Sequence, residues 1–131
     1  MRSHADKAPG NATVVVVEDD DAVRNALAFS LQTEGHSVRA YQCAESLLED
    51  AFLVEIHCLV VDYKLPAMNG LDLLRELGRR GINAPAILIA TGPGPAVRTA
   101  AGRLNVSIVE KPLLTEELYD LIAAKLAGRA N

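Results

Sequence analysis

Five short apolar runs, each followed by a stretch of helical periodicity, constrain the fold of this 131-residue chain more than any other feature. We predict strands at residues 12–17, 37–41, 58–62, 86–90 and 106–109, the second being more polar than the others. Continuous runs rich in Val, Ile and Leu are typical of strands that are buried on both faces. Strands that alternate with helices form a parallel sheet covered by helices on both sides. The sequence therefore predicts an α/β fold with five strands and five helices.

The helical stretches carry start and stop residues that help to place them. The first follows residues 18–21 and stops at Gly35, and the second spans 44–51. Asn69 is positioned to cap the third helix, and Gly81 follows that helix. The fourth is predicted at 96–104, and the fifth runs from a cap at Thr115 to about residue 127. Each helix presents an apolar stripe that can pack on the sheet.

Carboxylates stand where the first and third predicted strands end. Four consecutive acids at 18–21 follow the first strand, and Asp62 ends the third. The four carboxylates repel one another unless a cation or a helix terminus neutralises their charge. We expect Asp20 or Asp21 to cap the first helix. We expect Asp19, and Glu18 less directly, to join Asp62 in holding Mg²⁺, which prefers oxygen ligands.

The segment D-Y-K-L-P-A-M-N-G at 62–70 resembles the phosphoacceptor segment of bacterial response-regulator receiver domains, also called CheY-like domains. The acids after the first strand and Lys111-Pro112 after the fifth are further matches. The resemblance covers about residues 13–126. It implies a flavodoxin-like, doubly wound parallel sheet with strand order 2-1-3-4-5. In that order Asp19, Asp62, Thr91 and Lys111 converge on one crevice.

The resemblance also implies roles for these residues. Asp62 would be the nucleophile that accepts a phosphoryl group. Lys111 would neutralise charge on that group, and its peptide bond with the following proline is usually cis in the family. The Mg²⁺ ligands would be Asp19, Asp62, Glu18 and the backbone carbonyl of Lys64.

Two positions depart from the receiver pattern. Receiver domains carry Ser or Thr at the end of strand 4, and alignment from Pro85 places this position at Ala90. Alignment on T-G-P-G places it at Thr91, which we prefer because an alanine would leave the phosphoryl oxygens one partner short. Ile108 stands where many receiver domains have Tyr or Phe, and the fourth helix region is shorter than usual. Signal transmission is therefore less predictable than phosphorylation.

The resemblance implies a two-component response regulator that is phosphorylated by a histidine kinase or a histidine phosphotransfer protein and acts through a downstream effector protein. It leaves open a phosphorylation-dependent homodimer. Mg²⁺-dependent self-phosphorylation and autodephosphorylation are expected, although not conventional enzyme activity. An alternative is a pseudo-receiver, an interaction module that is never phosphorylated, which Ile108 favours. A small hydrolase or cofactor-binding flavodoxin-like protein is a weaker alternative, since Lys64 replaces the second acid of aspartate-nucleophile phosphatases.

Composition excludes several other classes. The chain has 13 Lys and Arg, 17 Asp and Glu and a net charge of −4, without a basic cluster that would neutralise nucleic-acid phosphates. No signal peptide or membrane-length apolar run is visible, so the expected location is cytoplasmic and away from membranes. Cys43 and Cys58 lack the spacing of a metal or redox motif. We predict a flexible tail at 1–11, a receiver domain at 12–131 and no output domain.

Overall fold

The computed structural model describes residues 12–52, 55–113 and 115–130. The predicted tail at 1–11 lies outside these ranges. Strands and helices alternate along the described chain as the sequence predicts. They are β1 (Thr13–Val17), α1 (Asp21–Thr33), β2 (Ser37–Tyr41), α2 (Ala44–Asp50), β3 (Cys58–Asp62), α3 (Gly70–Arg79), β4 (Ala86–Ala90), α4 (Pro95–Arg103), β5 (Ser107–Glu110) and α5 (Thr115–Ala130).

The five strands form one parallel sheet in the order β2-β1-β3-β4-β5, which confirms the predicted topology. At the carboxyl edge Val17 pairs with Val61, Asp62 pairs with Ile89 and Ala90 pairs with Glu110. The residues that follow β1, β3, β4 and β5 are therefore gathered at one edge. In open α/β sheets this edge is where ligands bind.

The sheet separates two apolar layers because successive side chains of a strand point to opposite faces. Val14 and Val16 pack with side chains of α1 and α5, including Leu31 and Ile122. The intervening valines of β1 pack instead with α2 and α3. A smaller third cluster, formed by Leu71, Leu88 and Ala101, lies beneath α4. Each fully buried Leu or Val contributes about 1.5–3 kcal/mol, so both layers hold the sheet in place.

Two predicted helix caps, at Asp20 and Asn69, are confirmed. Thr115, also predicted as a cap, is instead the first residue of α5, and the position before it lies outside the described residues. The Asp20 side chain accepts a hydrogen bond from the Val23 amide at 3.0 Å, and Asn69 accepts one from the Asp72 amide at 2.9 Å.

Val23 stands at helical spacing from Leu27 and Leu31, which predicts a place in the buried stripe of this helix, but it is 37% exposed. It lies in the first turn of α1, at the edge of the sheet. Helix α5 extends beyond its predicted end, and none of the helices in the described ranges is long and apolar enough to span a membrane.

Candidate functional site

A cleft at the carboxyl edge of the sheet brings together all the residues predicted to form the site. Its lining includes Glu18, Asp19, Asp62, Lys64, Thr91 and Lys111. They come from four different segments, which reach the same edge because β1, β3, β4 and β5 are adjacent and parallel. The roles predicted for these residues remain predictions, but their convergence is observed.

An ion pair between Asp62 and Lys111 joins the third and fifth strands across the floor of the cleft. Lys111 Nζ lies 3.3 Å from Asp62 Oδ2 and 3.9 Å from Glu18 Oε1. The Asp62 side chain is 5% exposed, whereas that of Lys111 is 34% exposed. The Lys111 amide also donates a hydrogen bond to the Ala90 carbonyl at 2.9 Å, and the peptide bond between Lys111 and Pro112 is cis. The ammonium group therefore faces the buried carboxylate that the sequence predicts to be the nucleophile.

Three carboxylates in the cleft could hold a metal ion. One oxygen from each of Glu18, Asp19 and Asp62 lies within 4.8 Å of the others. Burial raises the pKa of Glu18 from 4.5 to about 7, while a 3.1 Å hydrogen bond from the Asp20 amide opposes this shift. The three carboxylates supply oxygen ligands and negative charge, and both favour the binding of Mg²⁺. Lys64 is exposed at the rim of the same cleft, and ligation by its carbonyl remains a prediction.

The loop between β3 and α3 is fixed by backbone contacts that the sequence did not reveal. The Gly70 amide donates to the Tyr63 carbonyl at 2.8 Å, and the Tyr63 amide donates to the Ile89 carbonyl at 2.8 Å. A Cβ atom added at Gly70 would lie 2.5 Å from the Asp62 carbonyl oxygen and 2.9 Å from Leu88 Cδ1. Only glycine fits this position without a shift in the backbone that carries Asp62.

The end of β4 presents both candidates for the hydroxyl position. Ala90 is the last residue of the strand and is 3% exposed, while Thr91 follows it and is exposed. Both line the cleft. Within the described ranges the Thr91 hydroxyl makes no hydrogen bond, so this side chain is free to turn toward a ligand. Ile108 packs beside the cluster beneath α4.

Arg24 is a residue of the site's surroundings that the sequence analysis did not single out. Its guanidinium donates to the Glu18 carbonyl at 2.9 Å and to Asp21 Oδ1 at 2.5 Å. The side chain is only 15% exposed. The available sequence signal was the Asp21–Arg24 spacing, but on a helix an acid–arginine pair of this spacing is usually an ordinary surface contact.

Comparisons with known proteins agree with this geometry. The family model described as the response regulator receiver domain matches residues 14–123. The transcriptional regulatory protein FixJ of Rhizobium meliloti is 42% identical over 102 residues, which cover 76% of this chain and 50% of that protein. The chain spans about half the length of the curated relatives it matches.

Solved structures give the same result. The crystal structure of FixJ-N is 35% identical with a TM-score of 0.75, and the match covers 87% of this chain and 94% of the other. A CheY-like receiver domain protein from Methanospirillum hungatei JF-1 has a TM-score of 0.86 at 21% identity, covering 92% of this chain and 97% of the other, which shows the fold alone. The family-model match at residues 14–123 includes the sheet, apart from Thr13, and all the predicted site residues.

Proposed function

The chain belongs to the family of response-regulator receiver domains of two-component systems, and from this membership we propose that Asp62 accepts a phosphoryl group in a Mg²⁺-dependent reaction. The observation that carries the proposal is the buried Asp62 carboxylate, which lies 3.3 Å from the Lys111 ammonium and within the three-carboxylate group. A carboxylate so placed has an ammonium group and two further carboxylates close to it. This arrangement suits an attack on a phosphoryl group.

In the proposed step an Asp62 carboxylate oxygen forms a bond to phosphorus while the bond between phosphorus and its donor breaks. Such transfers depend mainly on positioning and on neutralising the phosphoryl oxygens. Lys111 contributes a point charge for this purpose, and Thr91 would donate a hydrogen bond from its hydroxyl. Glu18, Asp19, Asp62 and the Lys64 carbonyl would hold Mg²⁺, which when bound neutralises charge on the phosphoryl oxygens.

The phosphoryl donor is proposed to be a histidine kinase or a histidine phosphotransfer protein, and the output a contact with a downstream effector protein. The phosphoryl group adds nearly two negative charges beside Lys111. Bonds to that group would favour one arrangement of the neighbouring β4–α4–β5 face. A phosphorylation-dependent homodimer would form through α4, β5 and α5. The protein is proposed to promote its own phosphorylation and dephosphorylation, without acting as a conventional enzyme on other molecules.

The pseudo-receiver alternative finds little support in the geometry. Asp62, Lys111 and the acidic group are all present and converge in one cleft. The features that favoured the alternative, Ile108 and the fourth helix, lie outside the acid–lysine contact. They concern how a signal leaves the cleft, and the proposed phosphorylation does not depend on them.

The test is the intact mass of the protein after incubation with acetyl phosphate and Mg²⁺. We expect the gain of one phosphoryl group, and we expect no gain in Asp62→Asn or in the presence of EDTA. Because Asn is nearly isosteric with Asp, this variant removes the nucleophile without emptying the cleft. A wild-type protein that gains no mass, and that also fails to bind BeF₃⁻, would support the pseudo-receiver instead.

A further inference from the structure

Arg24 connects helix α1 to the turn that carries the acidic side chains. One guanidinium nitrogen donates to the Glu18 carbonyl, the first residue after β1, and another donates to Asp21 at the start of α1. The turn from Glu18 to Asp21 is therefore held at both ends by a single side chain. Two of the three carboxylates that could bind a metal ion, those of Glu18 and Asp19, lie in this turn.

The burial of Arg24 distinguishes it from an ordinary helical ion pair. Arg75 and Asp72 on α3 have the same three-residue spacing and a 3.0 Å contact, but their side chains are 47% and 51% exposed. Arg24 is 15% exposed and makes an additional hydrogen bond to the backbone at the end of β1. A bidentate guanidinium constrains direction as well as distance. Arg24 is thus held against the turn that carries Glu18 and Asp19, whereas Arg75 is half exposed on α3.

We propose that Arg24 is a positioning residue for divalent-cation binding: it holds the turn so that the Glu18 and Asp19 carboxylates stand beside Asp62. Its contact with Asp21 also neutralises one of the four consecutive acids and keeps that carboxylate, which is 78% exposed, paired outside the cleft. This inference rests on the proposed Mg²⁺ site. It assigns to the arginine a role in the arrangement of the ligands, with no contact to the metal or the phosphoryl group.

Positioning and simple electrostatics predict opposite effects when the charge of Arg24 is removed. A cation close to a metal site repels the metal ion, so its loss would tighten Mg²⁺ binding if the charge alone mattered. Loss of a residue that orients ligands weakens metal binding, commonly by about 10-fold to 100-fold. The sign of the change therefore separates the two explanations.

The experiment measures the Mg²⁺ dissociation constant by calorimetry for the wild type, Arg24→Gln, Arg24→Lys and the matched control Arg75→Gln. We expect binding to weaken about 10-fold in Arg24→Gln and to remain unchanged in Arg75→Gln. Arg24→Lys keeps the charge and can bond one of the two partners, so we expect an intermediate affinity. Amide NMR shifts of Asp19 and Asp20, recorded in EDTA, should move in Arg24→Gln before any metal is added.

The stability of each variant, measured by unfolding in EDTA, separates a positioning effect from a loss of fold. Mg²⁺ affinities are compared only for variants that are fully folded at the titration temperature. Unchanged or tighter Mg²⁺ binding in folded Arg24→Gln would overturn the inference. Equal weakening in Arg24→Gln and Arg75→Gln would also overturn it, because the effect would then belong to any lost surface charge. Absence of Mg²⁺ binding in the wild type would instead refute the metal site on which the inference rests.

Discussion

The substitution Gly70→Ala should destabilise the protein, whereas Gly78→Ala in the same helix should stabilise it. An added Cβ at Gly70 would meet the Asp62 carbonyl oxygen at 2.5 Å, and a backbone atom cannot rotate away. At Gly78 the nearest atom, Asn83 Oδ1, is 3.9 Å away. The two sites differ in available space while sharing the helix α3, so each is the control for the other.

The magnitudes follow from these distances. Overpacking a well-packed site costs about 1–3 kcal/mol, and contact with an immobile backbone atom places Gly70→Ala near the upper limit, at about 2–3 kcal/mol. An alanine that fits without strain in a helix is more stable than glycine by about 0.5–1 kcal/mol. We therefore expect the free energies of unfolding of the two variants to differ by about 3 kcal/mol.

Urea unfolding followed by far-ultraviolet circular dichroism measures this difference. The chain has no Trp, so fluorescence offers no comparable probe. The slope of the free energy against urea should be the same in all three proteins, since the surface exposed on unfolding is unchanged. If Gly70→Ala proves as stable as Gly78→Ala, the claim that Gly70 lies too close to the Asp62 carbonyl to accept a Cβ atom is refuted. Phosphorylation of Asp62 should also be slower in Gly70→Ala, because the backbone that carries this residue has to shift.

Three further predictions concern caps and charges. Asn69→Ala removes the acceptor for the Asp72 amide and should lower the free energy of unfolding by about 1 kcal/mol, measured in urea. Lys111→Met leaves the buried Asp62 carboxylate without its ion-pair partner and should lower stability in EDTA at pH 7 by about 1–2 kcal/mol, after discounting for the exposure of the lysine. The raised pKa of Glu18 predicts a third effect: between pH 4.5 and about 7 the unfolded chain releases a proton that the folded protein retains, so stability in EDTA falls as pH rises. At about 1.36 kcal/mol per pKa unit the full shift corresponds to about 3 kcal/mol, so we expect stability to fall by at most about this amount over the range. Glu18→Gln should remove this part of the pH dependence, which is measured as the difference between the two urea midpoints at each pH.

Each of these predictions has a contrary outcome. Asn69→Asp keeps the side-chain acceptor, so a loss equal to that of Asn69→Ala would show that the cap is not the cause. Unchanged stability of Lys111→Met in EDTA would contradict an energetically important contact with Asp62. Parallel pH profiles for the wild type and Glu18→Gln would refute the assignment of the shift to Glu18.

The strand–helix order was predictable because it depends on local patterns, and the convergence of the site was predictable because the resemblance to receiver domains implies the strand order. The apolar runs gave the strands, and Asp20 and Asn69 stood where caps are expected. Asp62 and Lys111 then reached the same edge because parallel strands end together. Periodicity and turn chemistry placed the elements, while the strand order that brings the site together was implied by the resemblance to receiver domains.

What the sequence left undecided depends on contacts between distant segments. In the sequence Gly70 is only the residue that follows the predicted cap Asn69. Its close approach to the Asp62 carbonyl arises when α3 packs on the sheet. Arg24 was not singled out, because its contact with the Glu18 carbonyl depends on how α1 leaves the end of β1. The choice between Ala90 and Thr91 rests on a shift of one residue, and both line the observed cleft, so the preference for Thr91 remains a prediction.

The sheet that divides the apolar side chains into two layers has a consequence for how this protein tolerates change. Val14 and Val15 are neighbours in sequence, yet they belong to different layers and share few packing partners. Substitutions in separate layers should have additive effects on stability, whereas those within one layer should be coupled. Divergence or engineering can therefore proceed one layer at a time. For example, α1 and α5 could both be replaced by the corresponding helices of a homologue while the side chains beneath α2 and α3 remain unchanged.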